Sequence, residues 1–401
     1  MKKLTRFQLT MMSICLMSLL FGAARACAEL KYADEIKKIQ ETYVPDSRLN
    51  LFQERQEDGK TVIATSCKAA YDALVELAKK PDAGFTPALY PEQNPRVGEK
   101  CWGLVAQSAI FIRNEPDHPA EMGTQSLMGM PVRVLDAPKD LSDDDPWILI
   151  QNQDGYLGFI TYGGIARMTK EELDAWKKAP RLVWTRIHGL ILAEPKRNAA
   201  IVSDVCAGNV FVYLGEEKDG FYKVQLPAGQ VGWAHKRACE FFDKWVQDCE
   251  LTPERIIATA KQFMNVPYLW GGTSAHALDC SGLVSYTLFL NRITALRDVS
   301  QQVRDGIEVD VSNGIENIQP GDFLIFGSRR KDGSLSMRHI GIAIGNNEFI
   351  HAATNVHISS LDPNAENYDG RNRAALIKAV RYCGAPYSET YKPVKDNPFY
   401  K

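Results

Sequence analysis

The sequence predicts an α+β domain at the C-terminal end, preceded by two small all-β barrels and a helical N-terminal segment. Three observations carry this. After about residue 250 an amphipathic helical pattern comes first and alternating strand patterns follow. Between 101 and 243, short apolar alternations separated by turn residues occur in two similar copies. Before 101, apolar residues recur at helical spacing. The 401 residues are 45% hydrophobic and 24% charged, which suits several packed units. A formal net charge of -2 gives no whole-chain attraction to nucleic acid or to an anionic membrane.

Residues 1–28 read as a secretory leader. Met1-Lys2-Lys3-Leu4-Thr5-Arg6 is basic, an apolar stretch follows from about Leu9 to Ala24, and Ala26-Cys27-Ala28 fits a small-residue cleavage site. Cleavage there leaves Glu29 first. Lipidation at Cys27 is the alternative, for which Arg25 is a poor neighbour. No later segment has the ~18 uninterrupted apolar residues of a spanning helix, so no membrane insertion is expected after cleavage. Export implies a periplasmic or extracellular, oxidising location. Seven of the nine cysteines then remain, an odd number that suits one free thiol plus up to three bridges, or several buried thiols. Cys249 with Cys383 would clip the ends of the last domain.

Residues 29–100 read as mainly helical, with Ile36, Ile39 and Tyr43 and then Ala70, Leu74, Leu77 and Ala78 on helical faces, followed by a proline-broken linker. This is a bracing segment without chemistry. The first barrel spans 101–169, with strands near 109–113, 131–135, 147–150 and 158–160; Thr169-Lys170-Glu171-Glu172 then opens a helix with a capping box. The second barrel spans 181–243, and its run 228–233 matches 154–159 of the first. The last domain, 250–385, begins at Thr252-Pro253, an N-cap followed by a first-turn proline. A second helix follows Cys280, with Leu283, Val284, Thr287 and Leu288 on one side. Strands near 322–326, 339–344 and 348–351 come next.

Asp279-Cys280-Ser281-Gly282 places a cysteine where a helix starts, and a helix N-terminus favours thiolate. His339 opens a strand and is placed to accept the thiol proton; His351, on the next strand, is placed to orient it. The Cys280 amide and the Tyr268 hydroxyl are placed for a developing oxyanion. Gly271-Gly272 beside Trp270 marks a tight turn near a pocket. His276 is a weaker candidate base. A metal site built from Cys280, His339 and His351 lacks the close ligand pairs of zinc sites. No cofactor motif is visible, and thiol chemistry needs none.

Pro267-Tyr268-Leu269-Trp270-Gly271-Gly272, Asp279-Cys280-Ser281-Gly282, Gln319-Pro320-Gly321-Asp322-Phe323, His339-Ile340-Gly341-Ile342 and Phe349-Ile350-His351-Ala352 together resemble the NlpC-type papain-like cysteine peptidases of bacterial cell-wall peptides. The paired barrels resemble bacterial SH3-like domains. This order of domains resembles enzymes of the dipeptidyl-peptidase VI type. The resemblance implies Cys280 as nucleophile, His339 as base, His351 as third member and Tyr268 as oxyanion support. It implies cleavage of the γ-D-Glu–L-diamino acid bond, to meso-diaminopimelate or L-lysine, in muropeptides with a free N-terminal L-alanine. It also implies that Asp279, Ser281 and Tyr156 hold the substrate amine, with Trp270 beside the pocket. The family's barrel glutamate, just before Thr-Gln, is Gly123 here; Glu121 and Glu115 are the nearby candidates. Two other readings remain open: a wall-binding protein with a silent catalytic domain, and a hydrolase of intact cross-linked wall.

Overall fold

A computed structural model describes residues 30–138 and 146–401. The leader and the cleavage site at 26–28 lie outside the described residues. No helix among the described residues is long and apolar enough to cross a membrane.

The N-terminal segment departs from a helical expectation. Its two helices, Ala33–Tyr43 and Lys68–Ala78, stand where helical spacing puts them, but three strands accompany them. Phe52–Glu57 and Lys60–Thr65 form an antiparallel hairpin, and Phe85–Leu89 adds to it in parallel. The hairpin turns on Asp58-Gly59 at φ 49° and 79°, the two-residue turn whose twist matches strand twist. The first strand is Phe-Gln-Glu-Arg-Gln-Glu, so its alternation carries little apolar signal. The segment braces the catalytic domain through charge. Asp46 accepts from Arg48, Gln301 and Arg304, and Arg48 reaches Asp298 at 2.7 Å.

Each barrel is a seven-stranded antiparallel sheet. In the first, the hairpin Trp147–Gln151 with Leu157–Thr161 packs Ile148, Ile150 and Ile160 inward at zero exposure. In the second, the corresponding hairpin is Phe221–Gln225 with Val231–His235. Both lead into a short 3₁₀ turn, at Tyr162–Gly164 and Lys236–Ala238. The helix Lys170–Lys178 that separates the barrels is capped at Thr169, whose side chain accepts from the Glu172 N–H while Glu172 reaches back to the Thr169 N–H.

The last domain packs two helices, Pro253–Lys261 and Cys280–Leu290, on a six-stranded antiparallel sheet. The helix starting at Cys280 is buried on all sides rather than on one. It is sandwiched between the sheet strand Leu335–Gly345, the helix Pro253–Lys261 and the barrels, so its polar residues must find partners inside the protein. All seven cysteines of the described residues are free. The Cys249–Cys383 clip is therefore not formed, and these thiols are unbridged, partly or fully buried side chains.

Candidate active site

Cys280 is the first residue of its helix. Asp279 is the N-cap: its carboxylate accepts from the Gly282 N–H at 2.7 Å. The preceding loop crosses the helix start at close range, and a side chain on Gly282 would meet the Gly272 carbonyl oxygen at 1.9 Å. Gly271 lies at φ 78° and its backbone N–H donates to the other Asp279 oxygen at 2.8 Å. The loop 268–272 is thereby fixed to the helix N-terminus, with the half-buried Tyr268 hydroxyl near enough to feel a charge on Cys280.

His339 and His351 stand on adjacent strands. His339 Nε2 lies 2.7 Å from His351 Nδ1, and His351 Nε2 lies 3.0 Å from the Ser359 hydroxyl. His351 pairs directly with His357 across the strands, and Ser359 is its diagonal neighbour on the same face. The line couples the tautomers: if Ser359 accepts from His351 Nε2–H, then His351 Nδ1 accepts from His339 Nε2–H and the His339 Nδ1 lone pair is the proton acceptor. The Cys280 sulfur rests against the neighbouring backbone N–H of Ile340.

Electrostatics correct the thiolate expectation. Burial, and then the Asp279 charge, push the Cys280 thiol up to about 11, against the pull of the Ile340 and Ser281 N–H groups and Arg297. Burial, and then Arg338, bring His339 down to about 4. Burial and His339 bring His351 to about 3. Desolvation penalises the charged form at both ends, so the resting pair is thiol and neutral imidazole. Tyr268 is pushed up to about 12, first by burial, and stays a donor.

The residues assigned to the substrate amine divide. Asp279 is saturated: besides the two N–H groups it accepts from Arg297 Nη2 at 2.6 Å and from the Ser281 hydroxyl at 3.2 Å. Ser281 also accepts from Arg297 Nη1 at 2.7 Å. Tyr156 is buried, and a side chain on Gly123 would meet its hydroxyl at 3.0 Å. Glu121 and Glu115 are exposed on their loop. Trp270 is 61% exposed beside the loop. His276 turns to the second barrel, 3.5 Å from Asp204.

Sequence reasoning missed Arg297, Ser359 and Gln125. Arg297 is fully buried and joins Asp279 and Ser281 to Thr124 of the first barrel, whose hydroxyl accepts from its Nε at 3.0 Å. The run Ala295-Leu296-Arg297-Asp298 gives no periodic or motif signal that would single it out. Gln125 accepts from the Thr273 N–H at 2.8 Å, docking the first barrel on the catalytic loop. A cleft of about 490 Å³ lies at the opposite end of the helix, between Trp184, Gly208, Leu290 and Arg292, away from Cys280.

Residues 265–373 match the NlpC/P60 family, 191–238 the bacterial SH3 domain, and 112–162 the bacterial dipeptidyl-peptidase SH3 domain. The chain carries an NlpC/P60 domain behind two bacterial SH3 domains. Over 240 residues, 58% of this chain and 67% of the relative, it is 27% identical to a gamma-D-glutamyl-L-lysine dipeptidyl-peptidase of Bacillus cereus. Over 279 residues, 66% of this chain and 93% of the relative, it is 26% identical to dipeptidyl-peptidase 6 of Lysinibacillus sphaericus. The crystal structure of an NlpC/P60 family protein from Bacillus cereus shares the fold, with a TM-score of 0.57 at 24% identity over 70% of this chain and 99% of that one. The NlpC/P60 domain begins at the loop that carries Tyr268 and takes in Cys280, His339, His351 and Ser359.

Proposed function

We propose that the protein is an exported cysteine peptidase that hydrolyses the bond between γ-D-glutamate and the L-centre of a diamino acid, meso-diaminopimelate or L-lysine, in peptidoglycan-derived peptides. The observation that carries it is Cys280 at a helix start beside the line His339–His351–Ser359, with the first barrel pinned to the catalytic loop at Thr273. Relatives named for the γ-D-glutamyl bond support the substrate class.

In this reading His339 Nδ1 takes the Cys280 proton as sulfur attacks the γ-carbonyl of D-glutamate. The first-turn N–H of Cys280, which has no intrahelical partner, and the Tyr268 hydroxyl receive the oxyanion. The new imidazolium is held by its Nε2–H to His351 Nδ1, and His351 is held by Ser359. His339 then protonates the departing amine of the diamino acid. Water, deprotonated by the same nitrogen, hydrolyses the thioester and restores the thiol.

The finer reading adds a free N-terminal L-alanine, received at the first barrel by the Tyr156 hydroxyl. Wall-linked stems are the second reading, because Gly123 supplies no carboxylate beside Tyr156 and Asp279 already accepts four hydrogen bonds. The carboxylates whose charges act on the Tyr156 hydroxyl are Asp298 and Asp154, and a buried ammonium needs such a partner. Purified protein is incubated with L-Ala-γ-D-Glu-diaminopimelate and its N-acetyl form, beside Cys280→Ala, and products are weighed by mass spectrometry. Release of L-Ala-D-Glu by the wild type alone is expected. Cleavage of the free-amine peptide only upholds the alanine requirement; equal cleavage of both gives the substrate to wall-linked stems. No cleavage of either overturns the proposal.

A further inference from the structure

The side of the site beyond His339 is built to meet negative charge. Arg338 immediately precedes the catalytic histidine, and it occupies a bulge. Phe326 pairs with His339 and Gly327 with Met337, so Arg338 is the extra residue. A bulge breaks strand alternation and re-aims its side chain. Arg338 accordingly reaches the short helix Gly370–Ala375, where its Nη2 donates to Asn372 Oδ1 at 3.3 Å. Arg371, in the first turn of that helix, is exposed. Both guanidinium charges act on His339, with Asp369 opposing them and His357 adding to them. Asp369 is committed to capping the helix: it accepts from the Asn372 N–H at 2.9 Å and Nδ2 at 2.7 Å.

Elsewhere in this domain Arg255, Arg297 and Arg381 each have an Asp within ion-pair distance, and Arg304 has Asp46. Among the described residues Arg338 and Arg371, like Arg292, Arg329, Arg330 and Arg373, have no such carboxylate, and of these six Arg338 and Arg371 are the ones whose charges act on His339. Two guanidiniums act on His339 against the single carboxylate of Asp369, and that positive balance favours an anionic group brought by the substrate.

The chemistry says which group comes there. His339 delivers its proton to the departing amine, so the diamino acid lies on the His339 side. Lysine and meso-diaminopimelate share the L-centre and the distal amine. They differ by one carboxylate, at the D-centre. We propose that Arg338 and Arg371 receive that D-centre carboxylate, making the protein selective for diaminopimelate over lysine. This rests on the reading that the γ-D-glutamyl bond is the one cut. The lysine side chain presents only an ammonium to the same two cations, so selection works by repulsion as well as attraction.

The test compares kcat/KM for three peptides, L-Ala-γ-D-Glu-diaminopimelate, the same peptide amidated at the D-centre, and L-Ala-γ-D-Glu-L-Lys, in the wild type and in Arg338→Gln/Arg371→Gln. Each ratio is internal to one protein, so it is independent of how much of a preparation is folded. The wild type is expected to prefer the free D-centre carboxylate roughly tenfold over both others, the size of one charge-assisted hydrogen bond, and the double variant to bring the ratios within about twofold of one. Equal rates in the wild type, or a preference that survives in the double variant, overturn the assignment while the cleavage reaction stands. Cleavage of none of the three overturns the reaction itself, and the selectivity with it.

Discussion

The two ends of the helix Cys280–Leu290 meet two barrels of the same architecture, and they use them differently. At the N-terminal end the first barrel enters a polar network: Thr124 to Arg297, Gln125 to Thr273, and the Met122 carbonyl against Gly271. At the C-terminal end the second barrel supplies shape. Gly208 lies against Phe289 and Leu290, and the Tyr286 hydroxyl donates to the Ala207 carbonyl at 2.6 Å. Trp245, just after that barrel, packs on Phe289. One fold thus serves once as part of a site and once as a brace. What decides between them is whether the barrel segment at that end carries side-chain donors and acceptors, as the strand Met122–Leu127 does, or a backbone carbonyl and a glycine, as Ala207-Gly208 does.

The largest effect is expected from Arg297→Met, which cuts the link between the first barrel and the helix start. It leaves the Asp279 carboxylate buried without its cation, at a cost of about 3–5 kcal/mol, read as a lowered urea midpoint together with lost turnover. An unchanged midpoint would mean the network is not what fixes the N-terminal end. Ser359→Ala comes next. It removes the acceptor that sets the His351 tautomer and is expected to lower kcat about tenfold with the melting temperature nearly unchanged; threonine at 359 should restore most of the rate. A rate loss that threonine fails to restore would assign Ser359 to packing.

Acidity separates the ends again. His339 and His351 are held neutral, with folded values of about 4 and about 3 against an ordinary 6.5. A depressed histidine contributes stability that is fully present above pH 6.5 and is lost as pH falls toward 4. Denaturant midpoints should therefore decline through that window. Alkylation of Cys280 by iodoacetamide should be slow at pH 7 and rise toward pH 11. A plateau already reached below pH 7 would show a resting thiolate–imidazolium pair instead.

The positions of Cys280, His339 and His351 at a helix start and on adjacent strands were legible because each sits in a short, distinctive run whose neighbours define the local turn or strand. The barrels were legible as repeated alternation with turns. The Asp58-Gly59 hairpin was not read because charged residues fill its first strand, leaving turn chemistry as the only signal. Arg297 was not read because its role arises from a partner distant in sequence, Thr124, 173 residues away; Ser359 was not read because its partner His351, eight residues away, meets it only once the hairpin fixes the strand register. The thiolate expectation considered the helix end alone. Burial and the capping carboxylate, which the same helix start also requires, act in the opposite direction.

The contrast between the ends is tested most directly by two tyrosine hydroxyls removed one at a time, with kcat/KM on the diaminopimelate tripeptide and the melting temperature measured for both. Tyr156→Phe, at the first barrel, is expected to lose about tenfold or more in kcat/KM with an unchanged melting temperature. Tyr286→Phe, at the second, is expected to keep kcat/KM and to melt about 2–4 °C lower, as the loss of one buried hydrogen bond implies. Equal losses of activity in the two variants, or a Tyr156→Phe protein that is less stable and fully active, would contradict the division of labour between the barrels.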